Sequence, residues 1–260
     1  MQFTGNPVAF EIFGLEIRWY AIFIVTGMIL AVILADREAR KQGFPKDTVS
    51  DLALFALPIG VIGARIWYVL FEWDSYQGDL MKMLNIRNGG LAIQGGIMAA
   101  VLVGLVYCKR KKLSFLQLAD IIFPVVALAQ GIGRWGNFTN NEAHGGPTDL
   151  PWGLLIHGQK VHPTFLYESL GDLLIFLLLW YLLHKKGKDQ PHGQIACLYL
   201  ILYGMLRFFV EGFRTDSLWW GSFRVAQILA MIGVAIGFLG IFLLRRKKSR
   251  AENKKDDFSE

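Results

Sequence analysis

Seven apolar runs, each near the ~20 residues that carry a helix across a bilayer, dominate this 260-residue chain and leave few folds open to it. They fall at about Trp19–Ala35, Leu52–Phe71, Leu91–Cys108, Ala119–Asn137, Leu166–Leu183, Ile195–Phe213 and Val225–Leu244. The expected fold is all-α: a polytopic membrane protein of seven transmembrane helices. With 53% hydrophobic residues the chain is too apolar for an ordinary soluble domain. The longest loop, between the fourth and fifth runs, is only ~28 residues, too short for a soluble domain of its own. Residues 1–260 are therefore expected to form a single integral membrane domain, with 1–18 as an outer interfacial segment and 245–260 as a basic tail.

Charge placement predicts the orientation. Of the 27 lysines and arginines, 18 fall in DREARKQGFPK (Asp36–Lys46), KRKK (Lys109–Lys112), HKKGK (His184–Lys188) and RRKKSRAENKK (Arg245–Lys255). Six lie in the alternate segments. By the positive-inside rule the four basic segments are cytoplasmic, so the N-terminus faces out and the C-terminus in. A basic tail on a soluble protein suggests nucleic acid; one that abuts a membrane span suggests topology and contact with anionic membrane lipid, and no nucleic-acid partner is expected. Residues Met1–Arg18 lack a basic n-region and contain Glu11 and Glu16, so the first span is expected to be retained. Phe3, Val8, Phe10, Phe13 and Leu15 suit that segment to the outer interface.

The remaining three basic residues, Arg65, Arg134 and Arg207, lie inside the second, fourth and sixth runs. A charge at the bilayer centre costs about 2.5–3.5 kcal/mol, so three exposed to lipid would cost about 8–10 kcal/mol. That rivals the stability of a whole domain. Each must face a counter-charge, another polar group or a wet cavity, unless it snorkels outward from a helix end. Arg134 stands in GIGRWGNFTNNEAHGG (Gly131–Gly146), where Asn137, Asn140, Asn141, Glu142 and His144 follow within ten positions. In YGMLRFFVEGFR (Tyr203–Arg214), Arg207, Glu211 and Arg214 are spaced i, i+4 and i+7. On a continuous helix they fall within about 60° of arc, forming one polar face. That face reads either as a self-neutralising Arg207–Glu211 pair or as a cationic wall, in which Glu211 holds Arg207 and Arg207 forks onto a second anion. Arg214 favours the second reading by leaving the face net positive. A guanidinium stays charged and grips phosphate bidentately, as lysine cannot.

Two further clusters belong to the outer side. RNGGLAIQGG (Arg87–Gly96) opens the third run with four glycines and Gln94, and HPTFLYES (His162–Ser169) places His162, Tyr167 and Glu168 at the start of the fifth. The glycines suit close backbone approach or tight helix packing. Glu142, His144, His157 and His162 match no HExxH-like spacing, so no metal is expected. Cys108 and Cys197 form no CxxC and read as small apolar fillers. Asn137-Phe138-Thr139 fits a glycosylation sequon, but at membrane depth. Tyr20, at the outer end of the first run, reads by itself as an interfacial anchor.

GRWGNFTNNEAHGG closely resembles the signature of the prolipoprotein diacylglyceryl transferase family, roughly G-R-x-G-N-F-x-N-x-E-x-x-G. RWYAIFIVTG, GARIWYVLF, NGGLAIQGG, HPTFLYE and YGMLRFFVEGFR are similar to further blocks of that family, in its order. The resemblance implies a multi-pass enzyme of the bacterial inner or plasma membrane. Its reaction would move the diacylglyceryl group of phosphatidylglycerol to the lipobox cysteine thiol of a prolipoprotein and release glycerol phosphate. No cofactor is expected, because the leaving group is already activated as a phosphodiester. Arg134 and Arg207 would clamp the phosphate, and Arg65, Glu211 and Arg214 would belong to the binding site. The resemblance carries functional positions onto Asn137, Glu142 and Gly145. Asn137 would bond the lipid head group, and Glu142 would orient an arginine or take a proton. Tyr20 matches a family tyrosine that would donate to the phosphate or position the thiol.

One departure matters. Many members carry histidine where this chain has Gln94, and glutamine cannot serve as a base near neutral pH. Glu142, Tyr20 or His144 would then deprotonate the thiol, or the arginine field would suffice alone; the last is the expectation here, with Gln94 a hydrogen-bonding residue. Among other classes, a transporter or channel for an anionic solute would also place arginines on facing helices. It would usually show internal repeats, and the two halves show no convincing self-similarity. An intramembrane protease lacks paired aspartates, HExxH or GxSxG in a span.

Overall fold

The computed structural model describes residues 5–86, 89–156, 158–185, 187 and 190–256, the last six by backbone alone. Phe3, Arg87, Asn88, His157, Lys186, Lys188 and the final four residues lie outside the described residues. Among the described residues seven helices are long and apolar enough to cross a membrane. They are α1 (Trp19–Lys41), α2 (Thr48–Phe71), α5 (Ile93–Lys111), α6 (Phe115–Thr139), α7 (Thr164–Lys185), α8 (Gln194–Glu211) and α9 (Val225–Asp256). Two short helices, α3 (Trp73–Tyr76) and α4 (Leu80–Leu84), follow α2. The seven runs are thus helices, as their length and apolarity require; most boundaries extend a few residues into flanking charged sequence, because hydrogen bonding continues after hydrophobicity ends. The protein is a polytopic, mostly helical membrane protein.

Three two-stranded hairpins complete the description: β1 (Val8–Ile12) with β2 (Leu15–Arg18), β3 (Leu154–Ile156) with β4 (Gln159–Val161), and β5 (Trp219–Trp220) with β6 (Phe223–Arg224). The first turns at Phe13 and Gly14, both at positive φ (51° and 77°). Such two-residue turns match the twist of a hairpin. Phe13 at the tip is fully exposed, and Phe10, Ile12 and Leu15 are exposed beside it.

The chain divides into two compact units, one of Asp36–Phe115 and the other of Met1–Ala35 with Leu116–Glu260. In the first, α2 and α5 pack through a glycine seam. A Cβ added at Gly63 would lie 2.5 Å from the Ala99 Cβ and 2.7 Å from the Gly95 carbonyl oxygen, and one added at Gly96 would lie 3.3 Å from the Gly60 oxygen. The glycines of the third run therefore serve close helix approach, the small-residue packing that membrane interiors use in place of hydrophobic drive. Replacing Gly63 by leucine is expected to separate the two helices and to cost about 1–3 kcal/mol or more. Thermal unfolding in detergent measures this; an unchanged melting temperature would contradict the seam.

Arg65 is buried in the same unit and is fully occupied there. Its Nε donates to the Met83 carbonyl (2.8 Å), Nη1 to Gly89 (2.9 Å) and Gly90 (2.8 Å), and Nη2 to Lys82 (2.7 Å) and Asn85 (2.9 Å). Five N–H donors meet five carbonyls. Its guanidinium also lies over the Tyr76 ring, 5.0 Å from the centroid. Arg65 was expected in the substrate-binding site; instead every donor it owns goes to a carbonyl of α4 or of the segment after it, and none is left over for a phosphate.

In the second unit α6 is the central helix. Its face packs with α7 and α8 around Ala127, Ile175, Leu179, Leu183, Ile195 and Tyr199. A buried carboxylate, Asp120 of α6, caps the start of α8 from 73 residues away: Gly193 N donates to its Oδ2 (2.8 Å) and Ala196 N to its Oδ1 (3.0 Å). A negative charge at a helix N-terminus answers both the free amides and the helix dipole. On α7, the Ser169 hydroxyl donates to the Gly131 carbonyl (2.8 Å) and accepts from the Trp135 indole (3.1 Å), tying α7 to α6. These ties fix the register of α6 and α7 beside the polar residues that follow.

Candidate active site

The C-terminal parts of α6 and α8 and the N-terminal part of α7 carry the polar residues of the site. Arg134 of α6 places Nε 2.8 Å from Oε2 of Glu168 on α7. Arg207 of α8 places Nη1 on the other oxygen of the same carboxylate, and Nη2 2.6 Å from Oε2 of Glu211. One buried carboxylate thus joins guanidiniums from two helices, and a second backs one of them. Each of these four charges has a partner of opposite sign, which offsets the cost of burying it. The Tyr203 hydroxyl of α8 lies at Arg134 as a further partner.

Exposure separates the two signs. The Glu168 and Glu211 side chains are 3% and 2% exposed, whereas those of Arg134 and Arg207 are 20% and 19% exposed. The carboxylates lie behind and the guanidiniums in front. Because the ion pairs take Nε of one arginine and the two Nη groups of the other, N–H groups on both remain for another anion.

Arg214 differs from its expected place. The helix stops at Glu211, so Arg214 is not the i+7 member of a helical face. Its guanidinium forks onto Asp216 (3.0 and 2.8 Å) and stands 3.9 Å from Glu211. Burial works to raise the Asp216 carboxyl, but hydrogen bonds and charge from Arg214 outweigh it and hold Asp216 below its ordinary range. The arginine cluster is therefore charge-balanced by Glu168, Glu211 and Asp216, not net positive through Arg214.

The remaining motif residues form the turn after α6. Asn137 and Asn140 both donate side-chain amides to Glu142 Oε1 (3.2 and 3.3 Å). The carboxylate that orients the arginines is thus Glu168, whereas Glu142 is held by amides. Gly145 donates its N–H to the His162 carbonyl (2.9 Å) and bridges Arg214. A Cβ there would lie 2.6 Å from the His162 Cβ and 2.9 Å from the Phe213 oxygen, so only glycine lets these three segments meet. Gly136 plays the same part for Tyr20: a Cβ would stand 2.6 Å from its ring. Tyr20 therefore packs on α6, within electrostatic reach of Glu142 and Arg134. His144 Nδ1 lies 3.2 Å from the Gly145 oxygen. Gln94, half-buried, stands in the first turn of α5, in the other unit.

Glu168, Asp172 and Tyr203 are members that a search for buried arginines passes over. Glu168 and Asp172 lie one helical turn apart within the fifth apolar run, and an acid there is as costly as an arginine. That spacing was the available signal.

The architecture and site define a polytopic membrane protein with an internal arginine–carboxylate cluster whose cations face the open side. A family model described as "Prolipoprotein diacylglyceryl transferase" matches residues 7–243. Three relatives named phosphatidylglycerol–prolipoprotein diacylglyceryl transferase are similar over nearly the whole chain. The one from Finegoldia magna is 52% identical, covering 94% of this chain and 97% of its own length. That from Clostridioides difficile is 47% identical (94% and 98%), and that from Listeria monocytogenes 42% (94% and 91%). The chain belongs to the prolipoprotein diacylglyceryl transferase family.

Proposed function

We propose that this chain transfers the diacylglyceryl group of phosphatidylglycerol to the lipobox cysteine thiol of prolipoprotein signal peptides, forming a thioether and releasing glycerol phosphate. The observation that carries the reading is the convergence of Arg134 and Arg207 on Glu168, with both guanidiniums partly open. The enzyme works in the bacterial plasma or inner membrane, with its N-terminus outside and its basic tail in the cytoplasm against anionic lipid. Both substrates reside in the membrane, so the site is polar within and reached from lipid.

The chemistry follows from charge. The lipid phosphate joins the free N–H groups of Arg134 and Arg207. As the glyceryl carbon–oxygen bond breaks, a second negative charge develops on the leaving phosphate, and pre-oriented guanidiniums in a dry site stabilise that charge strongly. The same cations favour the thiolate of the incoming cysteine, whose free pKa is ~8.5. Glu168 and Glu211 hold the arginines in place, while Asn137, Glu142, Tyr20 and Arg214 shape the head-group end.

Purified protein incubated with phosphatidylglycerol and a lipobox peptide is expected to add a diacylglyceryl mass to the peptide cysteine. Uptake of an anionic solute without that mass gain would overturn the reading. Gln94→Ala is expected to keep measurable transfer, because glutamine supplies no base; complete loss would assign position 94 an essential contact.

A further inference from the structure

Asp172 is the one carboxylate of the cluster that holds nothing. It is fully buried on α7, one turn beyond Glu168, and neither of its oxygens has a hydrogen-bond partner among the described residues. Glu168 and Glu211 both make direct ion pairs with the arginines. Asp172 nevertheless belongs to the same site. Its side chain starts against α6, where a Cβ at Gly131 would sit 3.4 Å from the Asp172 Cβ. Arg134 of α6, Glu168 of α7, and Arg207, Tyr203 and Tyr199 of α8 are the charged and titratable groups within its electrostatic reach.

The proposed reaction, on which this inference rests, sheds a proton. The thiol S–H breaks and an S–C bond forms, while the C–O bond leaves its electron pair on the phosphate. A phosphodiester of one negative charge becomes a monoester of two. The arginines then face more anionic charge than they can neutralise, and the displaced proton has to be taken up nearby. Protonating Glu168 or Glu211 would break an ion pair that positions an arginine. Protonating Asp172 breaks none.

We propose that Asp172 stores the proton released by the substrate thiol and so offsets the second charge on the departing phosphate. Charge balances: a monoanionic lipid and a carboxylate give a dianionic glycerol phosphate and a carboxylic acid. Asp172 touches no substrate atom and is a positioning residue for charge. It also answers the question that Gln94 raises, since the chain needs no histidine at that position if the proton is taken up behind the arginines.

The test is the pH dependence of diacylglyceryl transfer by the full chain in phosphatidylglycerol nanodiscs. Wild type is expected to lose rate on acidification as the proton store fills. Asp172→Asn, nearly the same shape, is expected to run about 100-fold slower, a typical contribution of a proton-accepting group, and to lose that acidic limb. Asp172→Glu is expected to restore both rate and limb. Asn at wild-type rate with the limb intact overturns the proposal. Should the Asn variant not fold, infrared difference spectra of wild type and the Glu variant decide: a carboxylic-acid carbonyl band must appear during turnover and shift between them, and its absence overturns the proposal. Transfer by wild type is read in the same assay. A wild-type chain that transfers nothing sinks the proposed reaction, whereas an unaffected Asn variant sinks the proton store alone.

Discussion

Arg134→Ala is expected to lower kcat/KM for diacylglyceryl transfer by about 10³-fold, the upper range for removing one pre-oriented donor from a developing oxyanion. The side chain has no substitute on α6, and its partner Glu168 would be left with Arg207 alone. Arg134→Lys keeps the charge but loses the fork, so a lysine variant is expected to recover only part of the loss. The effect should fall mainly on kcat, because the guanidinium matters most once the second phosphate charge has formed. Retention of a tenth or more of wild-type transfer by the alanine variant would remove Arg134 from the chemistry.

Glu168→Gln is expected to be the most damaging substitution for the fold of the site. One carboxylate at 3% exposure serves both arginines, and removing a partner from a buried pair costs about 3–5 kcal/mol, since the remaining charge stays behind uncompensated. Here two cations lose their shared partner. Thermal unfolding in detergent should show the loss. Phosphatidylglycerol should raise the melting temperature of the variant more than that of wild type, because the lipid phosphate replaces the missing anion and ligand binding stabilises by mass action. Equal stabilisation of both proteins would mean that the phosphate binds elsewhere.

The site was legible in part, and the reason lies in how each residue announces itself. Arg134 and Arg207 stand out because a cation in an apolar run has no bland explanation, and Gly145 stands out by its place in the motif. Glu168 and Asp172 signal by their place in an apolar run that they need partners, but that Glu168 bridges two arginines is visible only in the fold. Arg65 shows the opposite case. It reads as strongly as the other two arginines, yet five backbone carbonyls occupy it. Sequence reports that a buried charge needs a partner but not whether that partner is a substrate, a side chain or the backbone.

Seven apolar runs of bilayer length determined the helical, membrane-spanning architecture by themselves, because hydrocarbon accepts few other backbone arrangements. The six blocks in order, matching a known family, determined the class of chemistry. The tertiary structure alone decided the pairing: Glu168 between Arg134 and Arg207, Asp120 on the start of α8, Asn137 and Asn140 on Glu142. Those contacts join positions brought together by helix packing and turn geometry, and electrostatic partnership depends on distance and burial, neither of which a linear order of residues contains.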